Sequence, residues 1–377
     1  MSPTAAARET ASALSARRLT ELAAERAARA DDRRRLDLDV VAEIARAGFN
    51  RHFVPREHGG TAGSFTALVE AVTQVAEGCT SAAWVAALFA AHGRIASYLP
   101  EPARRELWSA SPDVRIAAGL AQPVLDARPV PGGWRLSGEW PNVSGVDFAD
   151  WILLAANAPG PDGGALSSLF LVPVDDCTVL DTWYTLGMRG TGSNTVRLDG
   201  VFVPGHRSVA RDRLLAPYSD GAARCHRVPY PFVAALMFAA PVLGAGLGAL
   251  ADWTRAVRER TGPEGRPVAA TAQTREVLAR ASAELRAAHL LSAAAATRAD
   301  TAGVDPSAVA ENVRDVVAAV ELCETAVDRL LRASGSRGQS QGDPVQRRRR
   351  DVQTAATHAM LRFDTSARSY AETVFGA

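Results

Sequence analysis

The spacing of apolar residues changes twice along this chain, and that change limits the fold more than any single motif. Up to about residue 115 the apolar positions recur at helical spacing. Leu38, Val41, Ile44 and Ala45 form one stripe, Val69, Val72, Val75 and Ala76 a second, and Trp84, Val85, Leu88 and Phe89 open a third. Asp37 or Asp39 stands where it can cap the first stripe, and Gly48 follows its end. From about 116 to 212 the period drops to two. Trp134, Leu136, Gly138 and Trp140 alternate with Arg135, Ser137 and Glu139, directly after the turn residues Pro131, Gly132 and Gly133, which predicts a hairpin with a half-buried second strand. Trp151 to Ala155, Leu169 to Val174 and Thr195 to Val203 are further strands, punctuated by Gly and Pro. Strands in succession without helices between them predict a small antiparallel barrel or sandwich. From about 230 helical spacing returns. Thr274 to Ala299 and Ala308 to Ala333 suit an antiparallel bundle, joined onward by the polar segment Ser334 to Asp343. The expected organisation is α+β, mostly α: a helical domain over 1–115, a β domain over 116–212 and a helical bundle over 213–377.

Composition narrows the partners. The 42 basic residues are all arginine and face 41 acidic ones, so the net charge of +1 argues against a nucleic-acid or anionic-membrane coat. Cys79, Cys177, Cys225 and Cys323 stand far apart with no C-x-x-C pair, which suits free thiols in a reducing compartment better than zinc or disulfides. The opening MSPTAAARETASALSARRL lacks the apolar core of a signal peptide. The longest apolar run, Val233 to Leu250, is interrupted by Pro241 and three glycines and suits a buried helix. A cytoplasmic protein that spans no membrane and binds no nucleic acid or metal is expected.

No dinucleotide-binding glycine motif, Walker A loop or G-x-S-x-G elbow is present. Gly244 to Gly248, GAGLG, reads as close helix packing. Gly342-Asp343-Pro344 reads as a helix start, with Asp343 as cap and Pro344 in the first turn. The run Arg347 to Arg350 behind it is a solvated helix start or an anion site. His92 and His358 lie in helical stretches among small and apolar neighbours, and singly each reads as an ordinary core or surface histidine. Trp140 to Trp151, WPNVSGVDFADW, is a strand exit anchored by tryptophan. Gly187 to Val196, GMRGTGSNTV, is a glycine-rich turn lined with hydroxyls.

In this order, the segments resemble the acyl-CoA dehydrogenase fold, and more closely its oxygenase branch, the group D flavin-dependent monooxygenases of two-component systems. The resemblance runs from about Leu36 to the end. Its carriers are AGFNRHFVPREHGG (47–60), GGWRLSGEWPNVSGVDFADW (132–151), LGMRGTGSNTVRLDGVFVP (186–204), RERTGPEGRPVAATAQ (258–273) and DPVQRRRRDVQTAATH (343–358). It implies an N-terminal helical domain, a central antiparallel β-barrel or sandwich and a C-terminal four-helix bundle, assembled as a homotetramer. By this resemblance Trp140 and Ser144 lie beside the flavin ring, with Ser144 near N5. Thr191 and Ser193 contact the flavin on the next turn. Arg258 or Arg260 and Gln273 reach its phosphates, often across a subunit interface. Arg347 and Arg350 correspond to a late arginine motif with Asp351 as partner.

The same resemblance poses a choice of chemistry. Dehydrogenases of this fold carry a carboxylate base near the C-terminus. Here Gln353 to Met360, QTAATHAM, has none and contains His358, as the oxygenase branch does. Some oxygenases carry a second histidine about fifty residues before the flavin serine, the place His92 holds. An imidazole can manage a proton near neutral pH. The expected activity is a monooxygenase that takes reduced flavin (FADH2 or FMNH2) from a separate NAD(P)H:flavin reductase. It would react with O2 through a C4a-hydroperoxyflavin, protected by Ser144, to hydroxylate or N-oxidise a small, aromatic or specialised-metabolite substrate oriented by His92 or His358. The helix from Val85 to His92, the loop after Trp140 and Tyr230, Phe232 and Phe238 are expected to line its pocket. The alternatives are an acyl-thioester dehydrogenase with bound FAD and a non-catalytic scaffold of the same fold.

Overall fold

The structure, a computed structural model, describes residues 14–121, 127–159, 164–216, 221–262 and 265–376. The first 13 residues of the opening segment lie outside it. The chain begins with α1 (Ala16–Arg33), α2 (Leu38–Arg46), α3 (Phe65–Gly78), α4 (Thr80–Ala96) and α5 (Glu101–Trp108). It continues with β1 (Ile116–Gly119), β2 (Arg128–Val130), β3 (Gly133–Val143), β4 (Trp151–Pro159), β5 (Ala165–Pro173), β6 (Thr178–Leu180), β7 (Asn194–Pro204) and β8 (Ser208–Ala210). It closes with α6 (Arg224–Arg227), α7 (Tyr230–Arg258), α8 (Ala272–Thr301), α9 (Pro306–Ser334), α10 (Pro344–Ala356) and α11 (Phe363–Phe375).

The strands form two sheets, ordered β1-β4-β5-β8 and β2-β3-β7-β6. Leu136 and Trp140 of β3 and Val196 and Leu198 of β7 meet Ile152 and Leu154 of β4 and Phe170 and Val172 of β5 in one core between them. The sandwich is antiparallel except at its edge, where β1 pairs parallel to β4. The chain crosses to the other sheet for β2 and β3 before β4 returns beside β1, so the two can share a direction.

In α2 the stripe is displaced from the expected one. Leu38 is 70% exposed, and Val40, Val41 and Ile44 make the buried face. The Asp37 carboxylate does not cap the helix because Arg29 holds it, 2.7 Å from Nε. Nearly all of α4 is buried, because α3, α7 and β1 all pack on it. Its sequence therefore has no polar face to mark a period.

The helices α7 to α10 form a four-helix bundle, with α3 and α4 laid against α7. By length and composition α7 could cross a bilayer, but 83% of its most apolar window is buried inside the fold. Its glycines are packing positions. A Cβ on Gly244 would strike the Thr73 carbonyl of α3, one on Gly246 the Leu285 side chain of α8, and one on Gly248 the Arg348 guanidinium. That guanidinium bonds Asp252 (2.8 Å from Nε) and the Ala76 (3.1 Å) and Glu77 carbonyls, so it caps α3 from α10. At the start of α10, Asp343 accepts the N–H groups of Val345 (2.8 Å) and Gln346 (3.1 Å), with Pro344 behind it.

Gly244→Ala forces a methyl against backbone that cannot yield. It should cost about 1–3 kcal/mol in denaturant unfolding. Gly303→Ala, which meets open space, should stay within about 0.5 kcal/mol.

Candidate active site

A cavity of about 620 Å³ lies where the three parts of the fold meet. Trp84, Leu88 and His92 enter from α4 at four-residue intervals, hence from one face. Ala118 to Ala121 come from the end of β1, and Pro141, Asn142 and Ser144 from the exit of β3. Trp183, Met188, Thr191 and Ser193 come from the connection between β6 and β7, Tyr230 and Phe238 from α7, Thr354 and Ala355 from the end of α10, and Thr357 to Met360 from the turn after it.

Two local distortions shape the wall. The register of β3 against β7 shifts between Trp140 and Val143, and Asn142 takes φ +60°. This bulge ends the alternation that would otherwise set the direction of Ser144. Met188 takes φ +55° at the start of the turn Arg189–Thr191. Left-handed backbone costs a non-glycine residue energy and persists only where neighbours hold it. The neighbours here are on α10. Asp351 Oδ1 accepts the Met188 N–H at 2.6 Å, Thr354 Oγ1 accepts the Gly187 N–H at 3.0 Å, and Arg350 donates to the Leu186 carbonyl at 2.7 Å. Gly187 is needed because a Cβ would collide with the Arg350 carbonyl.

Hydroxyls run along one wall. Ser144 Oγ lies 2.7 Å from Ser193 Oγ, which lies 2.7 Å from Thr191 Oγ1. Trp84 Nε1 donates to Ser144 Oγ at 3.2 Å, and Thr191 Oγ1 donates to the Met188 carbonyl at 2.8 Å.

The two histidines are held in opposite tautomers. His92 Nδ1 is 2.7 Å from the Ile116 carbonyl, which can only accept, so Nδ1 carries the hydrogen and Nε2 the lone pair. His358 Nδ1 accepts the Met360 N–H at 3.2 Å, so its hydrogen is on Nε2. His358 stacks on Phe238 at 3.8 Å and stands edge-on to Trp84 at 5.8 Å. Burial lowers both rings to about 4, so both are neutral at physiological pH.

The structure brings His92, Ser144, Thr191, Ser193 and His358 to one cavity. The other expected site residues stand elsewhere in the fold. The Trp140 ring does not face the cavity: it is 1% exposed in the sandwich core and gives its N–H to the Ala155 carbonyl at 2.7 Å. Phe232 is likewise core. Arg350 pairs with Asp31 at 2.6 Å, and Asp351 is hydrogen-bonded to Met188 rather than to the arginines. Arg347 lines a separate crevice with Cys79, Ser81 and Asp351. Arg258 ends α7, Arg260 lies two residues beyond it, Gln273 is exposed on α8, and none of the three lines the cavity. The sequence reading missed Trp84 as the tryptophan of the cavity, although its four-residue spacing to Leu88 and His92 marks it. Trp183 and Arg211 were missed too.

Known proteins place this architecture. Residues 4–102 match the family model for the acyl-CoA dehydrogenase N-terminal domain, and residues 236–363 that for the acyl-CoA dehydrogenase C-terminal domain. The chain is 30% identical to the oxygenase component of FADH(2)-dependent resorcinol hydroxylase from Rhizobium sp., over 92% of this chain and 89% of the relative. It is 30% identical to the oxygenase subunit HsaA, a flavin-dependent monooxygenase of Rhodococcus jostii, over 89% of this chain and 90% of the relative. Among solved structures, XiaF from Streptomyces sp. in complex with FADH2 and glycerol superposes with a TM-score of 0.89 at 30% identity, covering 96% of this chain and 93% of that one. The chain belongs to the acyl-CoA dehydrogenase-fold family of oxygenase components of two-component flavin-dependent monooxygenases.

Burial makes stability depend on pH. His52, His92, His226 and His358 are all pushed down to about 4, below the ~6.5 of an unfolded histidine. Between these values the unfolded chain takes up protons that the folded chain refuses. Stability is therefore fully present above pH ~6.5 and falls as pH drops through that window. Asp351, raised to about 6 chiefly by burial, and Glu77 and Glu324, also raised by burial, act with the opposite sign, but they are outnumbered by the four rings and His58, which burial also lowers. The thermal unfolding midpoint should fall on going from pH 7 to pH 5, and an unchanged midpoint would contradict the burial of these rings.

Proposed function

We propose that this oxygenase component takes reduced flavin, FADH2 or FMNH2, from a separate NAD(P)H:flavin reductase and uses O2 to hydroxylate a small aromatic substrate that carries a hydroxyl group. The observation that carries the substrate reading is the pair of opposed tautomers in one cavity. His92 Nε2 offers a lone pair and His358 Nε2 a hydrogen. A phenolic hydroxyl both donates and accepts, so it satisfies both. Trp84, Trp183, Tyr230 and Phe238 supply apolar, aromatic wall for its ring. The similarity to the oxygenase component of a resorcinol hydroxylase supports this class.

The residues present fit a flavin. The polar file of Ser144, Ser193 and Thr191 suits the heteroatom edge of the isoalloxazine ring, and Trp84, Trp183 and Met188 suit its faces. Bound reduced flavin supplies the activation of O2, one atom going to substrate and the other to water. The protein's part is to orient and to exclude water. Ser144 holds the ring edge, His92 receives the substrate hydroxyl's hydrogen bond, and His358 donates to its oxygen. Because both rings titrate near 4, neither adds charge to the pocket at neutral pH.

Arg211 is the one arginine among the described lining residues. Arg258, Arg260 and Gln273 lie on other faces, and in our reading they serve the flavin phosphates of a neighbouring subunit in a homotetramer. The dehydrogenase reading is disfavoured by chemistry. Dehydrogenases of this fold use a carboxylate to remove the proton beside the thioester, and the described lining residues include none.

Rapid mixing tests the activity. Protein loaded anaerobically with reduced FMN or FAD and mixed with oxygenated buffer should show a transient absorbance distinct from reduced and oxidised flavin. Direct reoxidation, with bleaching of bound oxidised flavin by acyl thioesters, would favour the dehydrogenase. His358→Ala should slow hydroxylation of a phenolic substrate by about 10²-fold or more while flavin affinity stays close to wild type, and full activity in that variant would remove His358 from the mechanism.

A further inference from the structure

The ends of the hydroxyl file decide where every proton in it points. Thr191 Oγ1 is 2.8 Å from the Met188 carbonyl, which only accepts, so the single hydroxyl proton of Thr191 is committed there. Thr191 must then accept from Ser193 across their 2.7 Å contact. With its proton used, Ser193 must accept from Ser144, again at 2.7 Å. At the far end Trp84 Nε1, a donor only, occupies one lone pair of Ser144 at 3.2 Å. Ser144 is left with its proton turned into the wall and one lone pair for the cavity it lines. Thr191 and Ser193 are 1% and 3% exposed, so solvent does not offer them other partners. The Met188 carbonyl is itself fixed, since Trp183 Nε1 donates to it at 2.9 Å and Asp351 holds the N–H of the same residue.

We propose that Thr191, acting through Ser193, makes Ser144 a hydrogen-bond acceptor and thereby lets the site distinguish reduced from oxidised flavin. This rests on the flavin reading above, with Ser144 at the ring's N5. In the reduced ring N5 carries a hydrogen and donates. In the oxidised ring N5 has only a lone pair. A lone pair on Ser144 is completed by the first and opposed by the second. Making or failing one buried hydrogen bond corresponds to about tenfold to hundredfold in affinity. Thr191 is thus a positioning residue, and Trp84 holds the Ser144 oxygen at the start of the file.

The test is the ratio of dissociation constants for oxidised and anaerobically reduced FMN and FAD, measured by titration of the whole protein. Wild type should favour the reduced form by about tenfold or more. Thr191→Val removes both the proton's destination and the acceptor, which frees Ser193 to donate to Ser144 and Ser144 to donate outward. The ratio should collapse toward one, mainly through tighter binding of oxidised flavin. Thr191→Ser rebuilds the file and should restore the ratio. Ser193→Ala frees the Ser144 proton by another route and should also collapse it, which serves if Thr191→Val folds poorly. If both flavin forms bind but the ratio stays at its wild-type value in Thr191→Val and Ser193→Ala, the proposal is overturned and the flavin reading stands. If wild type binds neither form, the flavin reading falls and this proposal with it.

Discussion

A buried carboxylate holds the centre of this molecule in shape. Asp351 on α10 accepts the Met188 N–H at 2.6 Å, inside a protein region dry enough to raise its pKa to about 6. That bond fixes a left-handed residue from which the rest of the site follows. The Met188 carbonyl sets the proton of Thr191, the adjoining Gly187 N–H goes to Thr354, and four residues beyond Thr354 His358 lines the same cavity. One helix and the turn after it therefore position both the hydroxyl wall and the histidine of the cavity. A buried charge without such partners would be strongly destabilising, so the turn and the carboxylate are each other's condition.

The arginines around it are structural in the same sense. Arg348 spreads its planar donors over Asp252 and the last carbonyls of α3, and Arg350 joins Asp31 of α1 to the Leu186 carbonyl. A lysine could not make these forked contacts. Apart from Arg211, the described lining of the cavity is uncharged and largely aromatic: two neutral imidazoles, Trp84, Phe238 and a file of hydroxyls. In such surroundings electrostatic interactions are less screened than in water, and the direction of a single hydroxyl proton carries weight.

Much of the architecture was legible from period alone. The change from helical spacing to alternation and back matches the order of elements, and GAGLG reads correctly as packing because each glycine abuts another helix. The strand limits were short by several residues, as in β4, where Ala156 to Pro159 have no strong alternation to extend the pattern. At the site, His92, Ser144, Thr191, Ser193 and His358 were named from a resemblance and share a cavity. Alternation itself marks Trp140 as core, on the same face as Leu136. It says nothing of Ser144, which follows a bulge that no periodic pattern shows. The partner of Arg350 was illegible for a different reason. Asp31 lies 319 residues earlier, and only the folded chain brings it near.

These distances in sequence have a consequence for how the protein comes into being. A chain is synthesised from its N-terminus, and early segments commonly fold first. Here α3 receives its cap from an arginine 272 residues later, and the Met188 turn its carboxylate from 163 residues later. The early helices and the sandwich can each collapse, but neither can finish. The cavity takes one wall from α10 and the turn after it, so a chain interrupted before α10 contains every described strand of the sandwich and an incomplete pocket.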